Sequence, residues 1–175
     1  MAKWIIDPDH SVASFIVRHM MVANVRGQFN RISGTIHFDP ADMANSSVEV
    51  VIDASGIYTG IQKRDDHLRS PDFLDAAIHP QITFKSTNVE TTREKGFRVI
   101  GDLSIRGISH PATLDAEYNG PEKSPYGETS MGFAATTRTN RGDYGMTWNV
   151  LLESGGVMVG KEVLISLDVE ADLTE

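Results

Sequence analysis

The feature that most constrains the fold is an alternation of apolar and polar residues, with a period of two, along nearly the whole chain. Residues 12–19 show it clearly, because Phe15 and Val17 fall on one face whereas Ser14 and Arg18 fall on the other. Successive side chains of a β-strand point to opposite sides, so this period indicates strands with one buried face. One apolar face per strand is typical of antiparallel sheets. The chain is therefore predicted to be all-β and antiparallel.

The number and length of these segments restrict the architecture further. They lie at residues 12–19, 29–38, 47–55, 81–90, 97–107, 112–118, 132–140, 145–152 and 162–172. Turn-rich stretches separate them, so we expect eight or nine strands. Strands of about ten residues, tilted by ~40°, form a barrel roughly 26 Å tall that closes over a packed interior or holds one small ligand. A two-layer sandwich has nearly the same pattern, so this pattern alone leaves both architectures open.

The segment from about residue 59 to residue 78 interrupts the period of two. Thr59 and Gln62 have the spacing of a capping box, which predicts a short helix that begins there. The run Ser70–Asp72, with proline in the middle, has the order typical of a second helix N-terminus. We therefore predict a short helical insertion (about residues 59–78) between two strands.

The insertion is rich in histidine and aspartate, which raises the question of a metal or acid–base site. A metal at His67 would need further ligands from the nearby side chains Asp65, Asp66, Asp72, Asp75 and His79. Residues adjacent in sequence do not converge on a helix, which disfavours Asp65 and Asp66 as partners of His67. Helix capping and ion pairing, for example of Asp65 with Arg69, account for the same residues. We therefore predict no metal and no cofactor, and the chain has no HExxH, GxSxG, P-loop or GxGxxG signature.

Composition excludes several classes of function. The formal net charge is −8, whereas a nucleic-acid-binding protein needs a basic face, and the same charge disfavours adhesion to anionic membranes. There is no cysteine, so disulfides and thiolate sites are excluded. The opening residues lack the apolar core of a signal peptide, and no apolar run reaches the length of a membrane span. We expect one domain over residues 1–175, located in the cytoplasm, with no nucleic-acid partner and no integral membrane segment.

A series of short motifs resembles the YceI-like family. The motifs are WIIDPDHS (4–11), FIVRHM (15–20), GQF (27–29), HLRSPDFLD (67–75), HPQITFKS (79–86), GDLSIRGISHPATL (101–114), NRGDYGM (140–146) and VGKEVLISLDVEA (159–171). They span nearly the whole chain in order. The resemblance implies an eight-stranded antiparallel, lipocalin-like barrel with a long apolar interior, which holds a polyisoprenoid lengthwise with its polar head near one end. Many members carry a secretion signal, and this chain departs from them in that respect.

Alternate residues of a strand point into the barrel, and we call this pattern inward parity. Together with the resemblance, inward parity identifies the residues expected to line a ligand cavity. They are Phe15, Val17, His19, Ile36, Phe38, Ile52, Phe84, Leu103, Ile105, Phe133, Trp148 and Ile165. The candidates for contact with a polar head group are His10, His19, Arg138 and Arg141, because arginine suits a phosphate. His19 continues the parity of Val17 and can equally be a core histidine. Arg141 lies in an Arg-Gly-Asp run, which is predicted to be a tight loop between strands and not an adhesion motif.

The resulting hypothesis is a binding protein, not an enzyme, whose partner is a polyisoprenoid or other long-chain lipid. A quinone or a polyprenyl phosphate would be held in the barrel interior for transport, storage or sequestration, and a homodimer is one option for the assembly. Two alternatives are kept. One is a hydrolase-type enzyme that acts on a small hydrophobic substrate through His67 or His19. The other is a stress protein whose cavity is incidental.

Overall fold

The alternating segments form a strongly curved antiparallel sheet in the computed structural model, which describes residues 1–174. The strands are β1 (Ala2–Ile6), β2 (Val12–His19), β3 (Ala23–Phe29), β4 (Ile32–Phe38), β5 (Ser47–Asp53), β6 (Ile57–Tyr58), β7 (Gln81–Arg93), β8 (Gly96–Ile105), β9 (Ile108–Lys123), β10 (Thr129–Asn140) and β11 (Val159–Leu173). One α-helix, α1 (Gln62–Arg69), follows β6. Short 3-10 turns lie at Pro8–His10, Met43–Asn45, Ala54–Gly56 and Arg141–Tyr144.

The sheet closes on itself. Its strand order is β1-β4-β5-β7-β8-β9-β10-β11, and β11 also pairs with β1. All of these pairings are antiparallel, and the β1–β11 contact joins Trp4 to Leu173 and Ile6 to Ala171. Closure of the ring distinguishes the barrel from the sandwich, so the predicted eight-stranded antiparallel barrel is confirmed.

One end of the barrel is extended by a second set of strands. β11 is long enough to pair with β1 near its C-terminal end and with β2 along residues 159–168. β1 and β2 therefore lie in sequence along the same side of β11, separated by the Pro8–His10 turn. β3 pairs with β2, and β6 pairs with β3 at Gln28–Tyr58 and Phe29–Ile57. β6 is consequently an edge strand, and the predicted insertion lies directly after it.

The insertion is held against this edge by hydrogen bonds to the backbone. The Arg69 guanidinium donates to the carbonyl oxygens of Ser55 and Ile57 at 2.8 and 3.0 Å. Arg69 also pairs with Asp66 at 3.1 Å, so the predicted pairing with Asp65 is wrong. Asp65 is buried and accepts hydrogen bonds from the backbone N–H and the hydroxyl of Thr59. Because its carboxylate turns back toward the start of the insertion, it is not available to the end of the helix.

Helical structure in the insertion is shorter than the capping signals predict. The helix begins at Gln62, and its N-cap residue, Ile61, makes no side-chain cap. Ser70 lies at the end of α1 and not at the start of a second helix, and the residues that follow form turns. The Ser70 hydroxyl donates to the His67 carbonyl at 2.6 Å and accepts from the Asp72 N–H at 3.3 Å. A serine that can close one helix or open another has the same sequence signature, which explains the error.

The sequence also predicted one strand that does not form, and it missed β3 and β6. Residues 145–152 are irregular because the guanidinium of Arg141 binds the carbonyl oxygens of Met146 and Trp148, which are then not available to a β-ladder. Conversely, β3 was missed because Gly27 interrupts its apolar face. The Phe15 ring occupies the space that a Cβ atom at Gly27 would need. The residue that hides the strand in the sequence is therefore required by its packing.

The chain contains no helix that could cross a membrane within residues 1–174.

Candidate functional site

The barrel encloses one large apolar cavity of about 390 Å³. This volume falls within the ~300–1,000 Å³ typical of small-molecule pockets. All of the residues predicted from inward parity lie on its wall, namely Phe15, Val17, His19, Ile36, Phe38, Ile52, Phe84, Leu103, Ile105, Phe133, Trp148 and Ile165. Their contact with a ligand stays a prediction.

The cavity exists because several inward side chains are small. Ala135 on β10 lies directly opposite Ala116 on β9, and both line the cavity. The next inward residues of β10 are Thr137 and Thr139, which also line it. Interiors normally pack to crystal-like density, and a void of this size persists only where the side chains cannot reach one another. Small residues in the middle of two neighbouring strands therefore keep the barrel hollow.

A cluster of aromatic rings forms the floor of the cavity, at the end where β1 meets β11. Phe38 lies at the centre, 4.8 Å from the ring of Tyr118, 5.3 Å from Phe133 and 6.1 Å from Phe97 between centroids. Edge-to-face contacts dominate, as expected for aromatic pairs that fill a core. The cavity therefore ends at a packed, aromatic floor, with His37, Ser46 and Ser47 as its polar neighbours.

The opposite end, which we call the mouth, is built from three parts of the chain and carries most of the polar groups. β2 contributes His19, α1 contributes Arg64 and His67, and the irregular segment after β10 contributes Arg141 and Trp148. Sequence reasoning did not assign Arg64, Leu68 or His67 to the cavity. Their spacing of three and four residues places them on one helical face, and this was the available signal. Met146 and Met158 complete the wall in this region.

His67 connects the insertion to the segment after β10. Its ring lies edge-on to Trp148 at 4.7 Å and to Phe73 at 5.0 Å. Its Nε2 atom lies 2.9 Å from a carboxylate oxygen of Asp72. Asp65 and Asp66 bond elsewhere, as described above, so the acidic residues of the insertion do not gather around this histidine.

Arg141 places a buried positive charge beside the mouth. It is 4% exposed and donates hydrogen bonds to the carbonyl oxygens of Met146, Trp148, Val159 and Gly160. Within residues 1–174 it forms no salt bridge. Its guanidinium carbon lies 5.7 Å from the centre of the Phe73 ring. Burial lowers the pKa of Arg141, because removal from water disfavours the charged form. The four carbonyl dipoles stabilise the cation that remains.

The other two head-group candidates lie outside the cavity. Arg138 falls on the outward face of β10 and pairs with Glu162 at 2.7 Å. His10 lies in the turn between β1 and β2, with Nδ1 2.6 Å from the Asp7 carboxylate. The alternation along β2 could not predict the direction of the His10 side chain, because His10 lies in the turn that precedes the strand. Of the four candidates, His19 and Arg141 are the two that line the cavity.

His10 belongs instead to a small polar group on the outer surface. Ligand atoms of Asp7, His10 and Glu170 lie within 4.8 Å of one another. The hydrogen bond that the His10 ring donates to the Asp7 carboxylate raises the pKa of His10, and that same bond lowers the pKa of Asp7. Two carboxylates beside one imidazole favour its protonated form, so this arrangement is an exposed ion-pair cluster.

Comparison with known proteins identifies the family. A family model described as YceI-like domain matches residues 4–171. UPF0312 proteins of Staphylococcus aureus strains N315 and Mu50 are each 35% identical over 176 residues and align along 100% of both chains.

Solved structures agree with this assignment. The Campylobacter jejuni YCEI protein has a TM-score of 0.74 and 30% identity, with 90% of each chain covered. Burkholderia cenocepacia BcnA has a TM-score of 0.82 at 23% identity, covering 94% of this chain and 98% of that one. A polyisoprenoid binding domain from Saccharophagus degradans has a TM-score of 0.69 at 14% identity, with 98% of each chain covered. The last two show the fold alone. Since the family model covers nearly all of the sequence and relatives at 35% identity align along its full length, the chain belongs to the YceI-like family.

Proposed function

We propose that this protein binds one long apolar lipid of the polyisoprenoid class, such as a quinone or a polyprenyl phosphate. The observation that best supports this proposal is the position of polar and apolar side chains along the cavity. Most of the wall is aliphatic or aromatic, and His37, Ser46 and Ser47 are the polar residues next to Phe38, whereas His19, Arg64, His67 and Arg141 gather at the mouth. An amphipathic chain with a single polar head matches this distribution, with its tail toward the floor.

The tail would supply most of the affinity. Each methylene buried contributes about 0.8 kcal/mol, so a few isoprene units are enough to bind tightly without polar contacts. Between the floor and the mouth the wall is formed mainly by aliphatic and aromatic side chains, with serine and threonine hydroxyls as the polar groups, which disfavours a strongly polar substrate there. The lipid is therefore selected by length and apolar character.

The head would be oriented at the mouth. The positive charge of Arg141 is held by carbonyl oxygens and has no carboxylate partner within residues 1–174, so it favours an oxygen-rich or anionic group nearby. The Trp148 ring, which lies perpendicular to that of His67, provides an apolar contact for the first isoprene unit or a quinone ring. The family relationship and the likeness in fold to a polyisoprenoid binding domain from Saccharophagus degradans support this class of ligand.

The direct test is to purify the protein without detergent and record its native mass spectrum, followed by organic extraction of the same sample. We expect a mass increment that corresponds to one prenyl lipid and that disappears on extraction. A protein that is consistently empty and does not take up added prenyl lipids would contradict the proposal. A role in transport, storage or sequestration, a cytoplasmic location and a homodimeric state stay predictions.

One observation favours the enzymatic alternative. The His67 and Asp72 side chains form a hydrogen-bonded pair beside an apolar entrance, and such pairs serve as general bases in hydrolases. Turnover of a hydrophobic ester with a bell-shaped pH profile, abolished by His67→Ala, would support it. We expect no turnover, because the hydrogen-bond partner of the His67 ring in residues 1–174 is Asp72 and not a serine or threonine hydroxyl; the Ser70 hydroxyl bonds to the His67 backbone carbonyl instead.

A further inference from the structure

Two loops beside the mouth expose large apolar side chains to solvent. The turn between β2 and β3 leaves Met20, Met21 and Val22 exposed by 44%, 54% and 77%. In the loop closed by the Leu151–Val157 bridge, Leu151 is 80% exposed. The loops contact each other, because the backbone N–H of Met20 donates to the Met158 carbonyl at 2.7 Å. Together, Met20–Val22 and Val150–Leu151 form one apolar patch, which we call the mouth tip.

Part of the mouth tip has a backbone conformation that methionine rarely adopts. Met20 and Met21 have positive φ angles of 50° and 65°, a conformation that side chains other than asparagine and glycine rarely adopt. Met20 and Met21 are the two central residues of a turn closed by the hydrogen bond from the Val22 N–H to the His19 carbonyl, and Asn-Gly is the usual pair where both central residues have positive φ. Two methionines therefore occupy a position that disfavours them both by conformation and by exposure. Strain of this kind accompanies function more often than it occurs elsewhere.

The hairpin that carries the tip is also the basic part of an acidic protein. No aspartate or glutamate lies between Asp9 and Asp39, although the chain has 24 acidic residues. Arg18 and Arg26 lie on the outer face of the hairpin, and neither forms a salt bridge within residues 1–174. The second loop contributes one acid, Glu153. The net charge of −8 therefore does not describe this hairpin, although the neighbouring insertion at the mouth carries Asp65, Asp66, Asp72 and Asp75.

We propose that the mouth tip docks on an anionic lipid bilayer, with the apolar side chains inserted at the interface and Arg18 and Arg26 facing the head groups. Exposed apolar residues flanked by cations are the combination that binds such interfaces. The tip is continuous with the cavity wall, since His19 and Met158 line the cavity and directly adjoin it. A docked molecule would open its cavity onto the bilayer, where long apolar lipids reside. The proposal rests on the proposed lipid-binding function for its purpose, but its test does not.

The test is co-sedimentation of the full chain with vesicles of phosphatidylcholine containing 30% phosphatidylglycerol. The decisive variant is Met20→Asn with Met21→Gly, which removes the apolar side chains and installs the preferred turn residues. We expect vesicle binding to fall at least tenfold while the melting temperature is unchanged or higher. The matched control is Tyr126→Asn, because Tyr126 is 91% exposed in the β9–β10 turn at the floor end. It should bind vesicles as the unaltered chain does.

The cationic contribution is tested separately. Arg18→Gln and Arg26→Gln should each lower affinity for the anionic vesicles about fivefold, since a basic residue near such a surface contributes roughly 1 kcal/mol. Binding to pure phosphatidylcholine should not change, and added salt should reduce the difference.

Three results would overturn the proposal: no binding of the unaltered chain, undiminished binding of the Met20→Asn, Met21→Gly variant, or loss of a dimer in that variant without vesicle binding by the unaltered chain. The last would show that a second copy covers the tip. Lipid content measured in the same samples separates the two hypotheses. An empty cavity in a vesicle-binding protein contradicts only the proposed function, and a lipid-loaded protein that ignores vesicles contradicts only the docking.

Discussion

At the scale of single residues, the contacts of Phe73 connect the insertion to the rest of the barrel. Its buried ring packs against His67 and Trp148 and lies under the guanidinium of Arg141. Phe73→Ala should lower the free energy of unfolding by about 3 kcal/mol, because it removes buried area and leaves a cavity. Ser70→Ala should lower it by only about 1 kcal/mol, the usual contribution of one hydrogen bond. Denaturant titration of both variants checks the ratio, and equal effects would show that Phe73 is not a packing centre.

The Asp7–His10 pair makes a pH-dependent contribution of predictable sign. The pKa of His10 is raised above its ordinary value of 6.5, so its stabilisation is present below that value and is lost as the pH rises through the raised pKa. The pKa of Asp7 is lowered, so its stabilisation is lost as the pH falls through the lowered pKa. The pair therefore stabilises the fold between these two values.

Nuclear magnetic resonance titration of the His10 ring protons tests this assignment. Asp7→Asn should bring the pKa of His10 back toward its ordinary value, because the hydrogen bond and the charge of Asp7 are the main causes of the shift. Asp9→Asn, on the neighbouring exposed carboxylate, is the control and should have a much smaller effect. An unchanged pKa of His10 in the Asp7→Asn variant would contradict the pairing of His10 with Asp7.

Residue positions on strands could be predicted from the sequence, whereas positions in turns could not. Phe15, Leu103 and Ile165 were placed inward by parity alone, because a strand has a fixed period and a barrel has one apolar side. His10 and His67 lie outside strands, so no period determines where their side chains point. The partners of His67 are also distant in sequence: Trp148 approaches it only after the chain has closed the barrel.

At the scale of elements, the irregular segment that follows β10 depends on one side chain. The guanidinium of Arg141 binds four carbonyl oxygens of residues 146–148 and 159–160. Arg141→Lys should lower the free energy of unfolding by about 2 kcal/mol, because an ammonium cannot reach all four acceptors and bonds to charged groups contribute strongly. The fluorescence of Trp148 should change with it. Arg138→Lys, an exposed position of the same strand end, should have little effect on either measurement.

Local signals identified most strands but not their interruptions. The long strands β7 to β11 carry enough alternating residues to be recognised, although their ends extend beyond the predicted segments. β6 has only two residues, too few to show any period. The segment at 145–152 alternates like a strand, yet its carbonyl groups bind Arg141. Competition between a side chain and a β-ladder for the same backbone groups is a tertiary effect, which a local pattern does not contain.

At the scale of the whole molecule, the cavity should be removable without loss of the fold. Ala135→Phe places a large ring inside the barrel, opposite Ala116. We expect prenyl-lipid binding in a fluorescent-lipid titration to fall at least tenfold while the chain remains folded. Thr136→Phe, which adds similar bulk on the exposed face of the same strand, should leave binding intact. Equal loss in both variants would show that the lipid does not occupy the interior.

The barrel itself was predictable, but its hollowness was not. The alternation along a strand predicts which side chains point inward, but it does not predict whether they contact one another across the interior. That depends on which small residues become neighbours, and Ala116 and Ala135 become neighbours only through the register of β9 and β10.

The pairing of β1 with the end of β11 has a practical consequence for immobilising this protein on a surface or fusing it to a partner protein. Ala2 pairs with Phe38 of the floor, and Leu173 pairs with Trp4 beside it. A linker joined at either of these positions leaves from the floor, at the far end of the barrel from the mouth. A sensor chip or a fused partner protein tethered there would hold every copy with its entrance facing the solution. The orientation of an immobilised layer is thus determined by the strand that closes the ring.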